Sequence, residues 1–426
     1  MHCQYVDHLN LERRSKYSIA KENQCNPYRE GKPFNQSASF NSGGEMDHKT
    51  TTFEELRNLL RNRYSTKWSR YPADVIPMWV ADMDLGVDPA ISSEIEAAAF
   101  KYGLGYPSQS LMDELIEAFV DLYANKIGGR IDPKLTISTT DVVQSIYIAI
   151  STFSNEGDGV IVQTPIYPPF LSTPKLLRRE VVENRLIRKD DQYRFDIEDF
   201  RAKANDPQNK IALFCSPHNP TGLVMSKEDL VEVARICSET NTLMIVDEIH
   251  GQLIFGATFT SIAAIETDAN YVICNSATKA YNIAGSRCAM AAFSSKYVMD
   301  LFDQVPFHLR GMPSNFGVVA SIAAWKMADR WLERTIDHIG QNRETLMTFA
   351  TKTNLFQLPS NSHATYLAWL SFADDPDPAK TILDRAKVAL SPGHDFGEVG
   401  KFHARMNLAT TSPVLREALD RIEAAF

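Results

Sequence analysis

The sequence predicts an α/β protein: a large domain with a mostly parallel sheet flanked by helices, and a smaller α+β domain after it. Three observations carry this. Short apolar runs (Val160-Ile161-Val162, Ile211 to Phe214, Leu243 to Val246, Val272 to Cys274) are each bounded by polar or turn residues. Helix-length segments separate them, the pattern of parallel strands buried on both faces. After about residue 310 the rhythm changes to longer helical stretches, so a second layer arrangement begins there.

Taken in order, residues 1–50 are polar, rich in Asn, Ser, Lys and Gln, and without an apolar period, which reads as a flexible extension. Helical signal begins at Thr52, with Phe53, Leu56 and Leu60 on one face and Glu54 and Glu55 in the first turn. Residues 51–87 are expected to contribute to the small domain and to the edge of the site. The large domain spans 88–310, with helices over Ile91 to Tyr102, Leu111 to Ile127 and Val142 to Phe153 between the strand runs. The small domain covers 311–426: helices at Val318 to Met327 and Trp331 to Phe349, a strand at Thr365 to Leu370 and a closing helix from Ser412.

Composition narrows the function. Of 426 residues, 44 are Lys or Arg and 53 Asp or Glu, so the net charge is −9 and a nucleic-acid or anionic-membrane partner is not expected. No stretch reaches the ~18 apolar residues of a spanning helix, and no apolar leader opens the chain, so a cytoplasmic protein is expected. The six cysteines stand at least fourteen positions apart, which excludes a zinc spacing or a CxxC pair. No metal site is expected. GxGxxG, GxxxxGK[ST], HExxH and GxSxG are all missing from the loops after the strands, which removes the usual support for dinucleotide, triphosphate, zincin and serine-hydrolase readings.

Those loops, where α/β sheets place ligands, carry another set. Asp247-Glu248-Ile249-His250 follows one run; an acid at the end of a buried strand pays desolvation unless it meets a cation, such as a protonated ring nitrogen, the competing reading being an acid that caps a helix or pairs with an arginine. Asn275-Ser276-Ala277-Thr278-Lys279 follows the next, and a desolvated lysine there has a lowered pKa and a nucleophilic amine. Ser276 and Arg287 bracket Lys279 with groups that hold a phosphate. In Asn219-Pro220-Thr221-Gly222, also an ordinary turn sequence, the Asn219 amide can reach a ring hydroxyl. Tyr167, in Thr164-Pro165-Ile166-Tyr167-Pro168-Pro169, can stack on a flat group. Thr140-Asp141-Val142-Val143-Gln144 opens a helix whose free amides suit a phosphate.

This ordered set resembles the fold-type I pyridoxal-phosphate enzymes of the aminotransferase class I/II family, from about residue 70 to the C-terminus. The resemblance implies pyridoxal phosphate as cofactor and Lys279 as the catalytic residue that binds it and moves protons. It further implies that Asp247 pairs with the ring nitrogen, Asn219 and His250 contact the ring, Tyr167 stacks on it, and Val142, Val143, Ser276 and Arg287 hold the phosphate. Arg405, in Ala404-Arg405-Met406-Asn407, matches the arginine that grips the substrate carboxylate, a surface salt bridge being the competing reading. Pro77-Met78-Trp79-Val80-Ala81-Asp82-Met83-Asp84, Asp247 to His250 and Ala364 to Leu370 resemble the cystathionine β-lyase and cystalysin-like C–S lyases. Trp79 and Asp82 are accordingly expected near the substrate. Tyr106, in Gly105-Tyr106-Pro107, matches a tyrosine that reaches the phosphate of a neighbouring subunit, which implies a homodimer with shared sites.

The implied reaction is β-elimination from an S-substituted L-cysteine, cystathionine-like or a bulky S-conjugate of a biosynthetic pathway, to a thiol, pyruvate and ammonia. An aminotransferase acting on an amino acid and a 2-oxo acid uses the same residues, and decarboxylation-linked deamination is a further exit. A binding protein that keeps the fold is the non-enzymatic alternative.

Overall fold

The computed structural model describes residues 52–103 and 105–426; the extension expected over residues 1–50 lies outside them. Seven strands form the main sheet: β1 (Thr136–Thr139), β2 (Gly159–Val162), β3 (Glu180–Glu183), β4 (Asn209–Cys215), β5 (Leu243–Asp247), β6 (Tyr271–Asn275) and β7 (Ala289–Phe293). Their order is β1-β7-β6-β5-β4-β2-β3. Only β7 runs against its neighbours, pairing antiparallel with β1 and β6. The four apolar runs are the four adjacent parallel strands β2, β4, β5 and β6.

Alternate residues of these strands serve two separate cores, because successive side chains leave a strand on opposite faces. Ile161, Ala212, Phe214, Met244, Val246 and Ile273 join the core beneath the helices Gln109–Leu122, Lys227–Thr240 and Asn315–Met327. Val162, Ile211, Leu213, Ile245, Val272 and Cys274 join the opposite core, with Val142–Phe153 and the buried Phe170, Val298 and Phe302. Both faces are therefore covered, which is why the strand runs are continuously apolar.

A third core is built by the two ends of the described chain. Leu56, Leu60, Trp68, Ile76 and Met78 pack with Leu346, Phe356, Ile382, Leu415 and Leu419. Thr52 caps the first helix, Phe53–Arg61, through a reciprocal bond with Glu55. The helix Asp329–Thr353 carries Leu332 and Ile339 in the first core and Leu346 and Phe349 in the third, so one element about 37 Å long serves both. Beside it, Leu367–Ser371, His403–Asn407 and Ser391–Pro392 form a three-stranded sheet with His403–Asn407 in the middle.

Candidate active site

The C-terminal ends of β4, β5 and β6 open onto one place. Asp247 ends β5 and is 5 % exposed, with its carboxylate accepting from the Ile249 amide at 3.0 Å. Burial pushes its pKa up to about 7, partly offset by that bond and by the charge of Lys279. Glu248, the next residue, points to the other face. There it accepts from Tyr123 and Ser261 hydroxyls, each at 2.9 Å, and from the Ile262 amide. Of two adjacent carboxyls, one faces the site and the other pins the structure behind it.

Lys279 follows β6. Its Nζ donates to the Ala81 carbonyl at 2.8 Å, and the buried Tyr366 hydroxyl donates to the same oxygen at 3.2 Å. Desolvation, then the charge of Arg405, lowers the lysine pKa to about 8 against the opposing pull of Asp82 and Asp247. The neutral amine, the state that attacks a carbonyl or accepts a proton, is thus far more accessible near physiological pH than in a solvated lysine.

Arg405, on the central strand His403–Asn407, is 5 % exposed and fully engaged on one side: Nη1 donates to Asn219 Oδ1 at 3.0 Å, Nη2 to the Trp79 carbonyl and Ser391 Oγ, both at 3.1 Å. Its guanidinium stacks over the Phe396 ring at 4.9 Å. It is no surface salt bridge. Burial lowers its pKa to about 10, and its Nε has no hydrogen-bond partner. Asn219 is held by the turn it sits in. Neighbouring His218 bridges Thr221 Oγ1 at 2.9 Å and the Gln163 carbonyl at 3.1 Å, while the Tyr167 amide donates to the Asn219 carbonyl. Gly222 adopts φ +71°, and a Cβ there would lie 2.2 Å from Ser362 Oγ, so the turn also needs its glycine. His250 is buried, edge-on to Tyr366 at 6.4 Å, with Nδ1 unpartnered. Burial and the charges of Lys279 and Arg405 hold its pKa down at about 3, so the ring is neutral.

Residues 78–86 cross this site as a strap. Asn407 clamps it through Val80 and Asp82 carbonyls, both at 2.7 Å; Asn282, three residues past Lys279, clamps it through the carbonyls of Met83, Leu85 and Gly86. A buried ion pair, Lys67 to Asp84 at 2.8 Å, fixes its base, with the Trp68 indole on the other carboxylate oxygen at 2.7 Å. Asp82 accepts from Ser65 Oγ at 2.6 Å, and the Trp79 ring stands under Arg70 at 4.6 Å.

The remaining candidates lie apart from this cluster. Val142 and Val143 open the helix Val142–Phe153, capped by Asp141, whose Oδ1 accepts from the Gln144 amide at 2.8 Å. The other Asp141 oxygen pairs with Arg287, whose side chain is 65 % exposed. The Ser276 hydroxyl donates to the Cys288 carbonyl at 2.6 Å, an internal use that the sequence does not announce. Tyr106 is 94 % exposed and lines a cavity of about 600 Å³ with Tyr102, Leu111, Val319 and Ile322; none of the other candidates lines it. Sequence reasoning missed Tyr366, the Ala81 carbonyl, Ser391 and the two clamping asparagines. Tyr366 and Asn407 sit inside quoted runs; a backbone acceptor leaves no sequence signal.

Pyridoxal phosphate fits these residues. A buried acid with a raised pKa, a lysine with a lowered pKa, an unpartnered buried imidazole nitrogen and an unpartnered guanidinium Nε cluster near the strand ends, and free helix-terminal amides beside an arginine suit a phosphate.

Known proteins point the same way. Residues 73–422 match the family described as aminotransferase class I and II. The chain is 32 % identical over 375 residues to cystathionine β-lyase of Corynebacterium glutamicum, covering 87 % of this chain and 98 % of that one. It is 30 % identical over 380 residues to the cystathionine β-lyase PatB of Bacillus subtilis, covering 85 % and 96 %. The crystal structure of cystalysin from Treponema denticola, which contains pyridoxal 5'-phosphate, superposes with a TM-score of 0.82 at 28 % identity, over 86 % of this chain and 96 % of that one.

Proposed function

The chain belongs to the aminotransferase class I and II family, and from that premise we propose that it is a pyridoxal-phosphate-dependent carbon–sulfur β-lyase. Its substrate is an S-substituted L-cysteine, and its products are a thiol, pyruvate and ammonia. The observation that carries this reading is the buried group Lys279, Asp247, Asn219 and Arg405 in a chain that aligns over nearly the whole of a cystathionine β-lyase.

Bound pyridoxal phosphate supplies an electron sink that stabilises negative charge at the substrate Cα. Asp247 holds a negative charge at the strand end where a cationic ring nitrogen would lower its raised pKa. Asn219 and His250 would meet the ring edge and Tyr167 its face. Val142 and Val143 amides and Arg287 would receive the phosphate, joined by Ser276 if its hydroxyl leaves the Cys288 carbonyl. Arg405 binds the substrate carboxylate, which sets Cα and its hydrogen before Lys279. Lys279 Nζ takes that proton, returning to the Ala81 carbonyl when protonated. Trp79 and Asp82 border the substrate on the strap.

The protein acts as a homodimer in the cytoplasm. Support for the dimer comes from the exposed Phe100, Tyr102 and Tyr106, 86 %, 68 % and 94 % accessible, beside the cavity described above, an aromatic patch that a second copy would cover. Among the described residues no helix is long and apolar enough to cross a membrane. The grouping of residues 51–87 with the C-terminal part is supported by the third core, which gathers both ends of the described chain, whereas the helix Asn315–Met327, placed in the small domain by the division at 310, packs in the first core.

The test is an S-alkyl-L-cysteine given to the purified, cofactor-loaded protein with no 2-oxo acid. Thiol and pyruvate are expected in equal amounts. Turnover that requires a 2-oxo acid would assign the chain to the aminotransferases instead.

A further inference from the structure

The phosphate end of the site contains a carboxylate, which opposes the anion the site is built to take. Asp141 caps the helix Val142–Phe153 by accepting from the Gln144 amide at 2.8 Å. Gln144 answers by accepting from Thr140, backbone amide at 3.0 Å and hydroxyl at 2.8 Å. The cap is therefore braced from both sides, and Asp141 cannot swing away from the helix start without losing it. Its second oxygen holds Arg287, the cation of this end.

Two effects of Asp141 on a bound phosphate compete. The ion pair orients Arg287, which helps; the fixed carboxylate repels a dianion and occupies the third helix-terminal amide, which hinders. Magnitude decides between them. The pair is exposed, 65 % on the arginine side, and solvent-screened pairs of this kind contribute little. The arginine must in addition loosen its hold on Asp141 to meet the phosphate. The repulsion, by contrast, acts at the helix N-terminus, within two residues of the free Val142 and Val143 amides.

Resting on the cofactor reading above, we propose that Asp141 is a positioning residue that weakens phosphate binding, so that cofactor uptake exchanges the Asp141–Arg287 pair for a phosphate–Arg287 pair and the holoenzyme releases its cofactor readily. Asparagine keeps the cap, since its side-chain oxygen accepts the same amide, and removes the charge.

Dissociation constants of the cofactor-free chain for pyridoxal phosphate, for unphosphorylated pyridoxal and for inorganic phosphate test this, read from absorbance or from competition. Asp141→Asn is expected to bind pyridoxal phosphate about tenfold more tightly and inorganic phosphate more tightly too, with pyridoxal unchanged. Asp141→Ser, which also caps, gives the same comparison if the asparagine variant fails to fold. Pyridoxal phosphate affinity that is unchanged or weaker in a folded variant overturns the proposal, as does an equal gain for pyridoxal. A wild-type chain that binds no pyridoxal phosphate overturns the cofactor reading and this inference with it; a wild-type chain that binds, with variants that do not tighten, overturns this inference alone.

Discussion

Two arginines, Arg405 and Arg287, proposed above to take the substrate carboxylate and the cofactor phosphate, are held in opposite ways. Arg405 is 5 % exposed, braced by Asn219, Trp79 and Ser391 and stacked on Phe396; Arg287 is largely in solvent with Asp141 as its partner. The buried cation carries a depressed pKa, the cost of leaving water, and gains in return a fixed direction. The exposed one gives up direction and keeps its freedom to change partner. On the proposed reading, a carboxylate that must be oriented for chemistry goes to the rigid end, and a phosphate that only anchors goes to the adaptable one.

The contrast is sharpest beside the buried arginine. Lys279→Ala should lower turnover by at least ~10⁴-fold, since one residue supplies both the covalent attachment and the proton transfer; product formation from an S-alkyl cysteine measures it. Arg405→Ala should cost about 2–4 kcal/mol in kcat/KM, roughly 30- to 900-fold, because a desolvated charged hydrogen bond is lost. Arg405→Lys should recover little of this, since a lysine cannot match the planar fork. If lysine restores most of the activity, the rigidity assigned to this end is wrong.

Asn407→Ala removes two hydrogen bonds from the strap that carries the Ala81 carbonyl. A loss of about tenfold in kcat/KM is expected, with about 1–3 kcal/mol of stability, from leaving buried carbonyls unsatisfied. Thermal melts and kinetics on the same sample separate the two. Arg287→Ala is the milder change: stability within about 0.5 kcal/mol of wild type, with weaker retention of pyridoxal phosphate on dialysis. Last, the rate at which the cofactor-free chain captures pyridoxal phosphate should rise with pH and level off above about 8. The reacting form is the neutral amine, scarce below that pKa and dominant above it. A plateau reached only near pH 10 would mean that the lysine is not desolvated.

Which parts of this were legible in the sequence follows from what each residue type reveals. The four central strands were, because burial on both faces forces an unbroken apolar run. β7 was not: Ala-Met-Ala-Ala-Phe is small and helix-prone, and its strand form is imposed by pairing with β1 and β6. The edge strand Glu180–Glu183 and the polar β1 lack the apolar signal for the related reason that an edge or a half-covered face does not demand it. At the site, Lys279 and Asp247 could be named from their places behind apolar strands, whereas Arg405 and the run Pro77 to Asp84 came from the family resemblance alone. The clamping of the strap could not be read, since it works through main-chain carbonyls and through asparagines whose spacing to their targets is 199 residues for Asn282 and Met83 and 327 for Asn407 and Val80.

Arg405 and Asn407 are two apart on one strand and so project from the same side of it. One is braced by Asn219, Trp79 and Ser391; the other grips the strap on which the lysine's resting acceptor lies, a strap also anchored by the buried Lys67–Asp84 pair. On the reading proposed above, the residue that takes the substrate carboxylate and the residue that fixes the Ala81 oxygen therefore share one short stretch of backbone, and a substrate lacking its carboxylate would leave that stretch without its ligand contact.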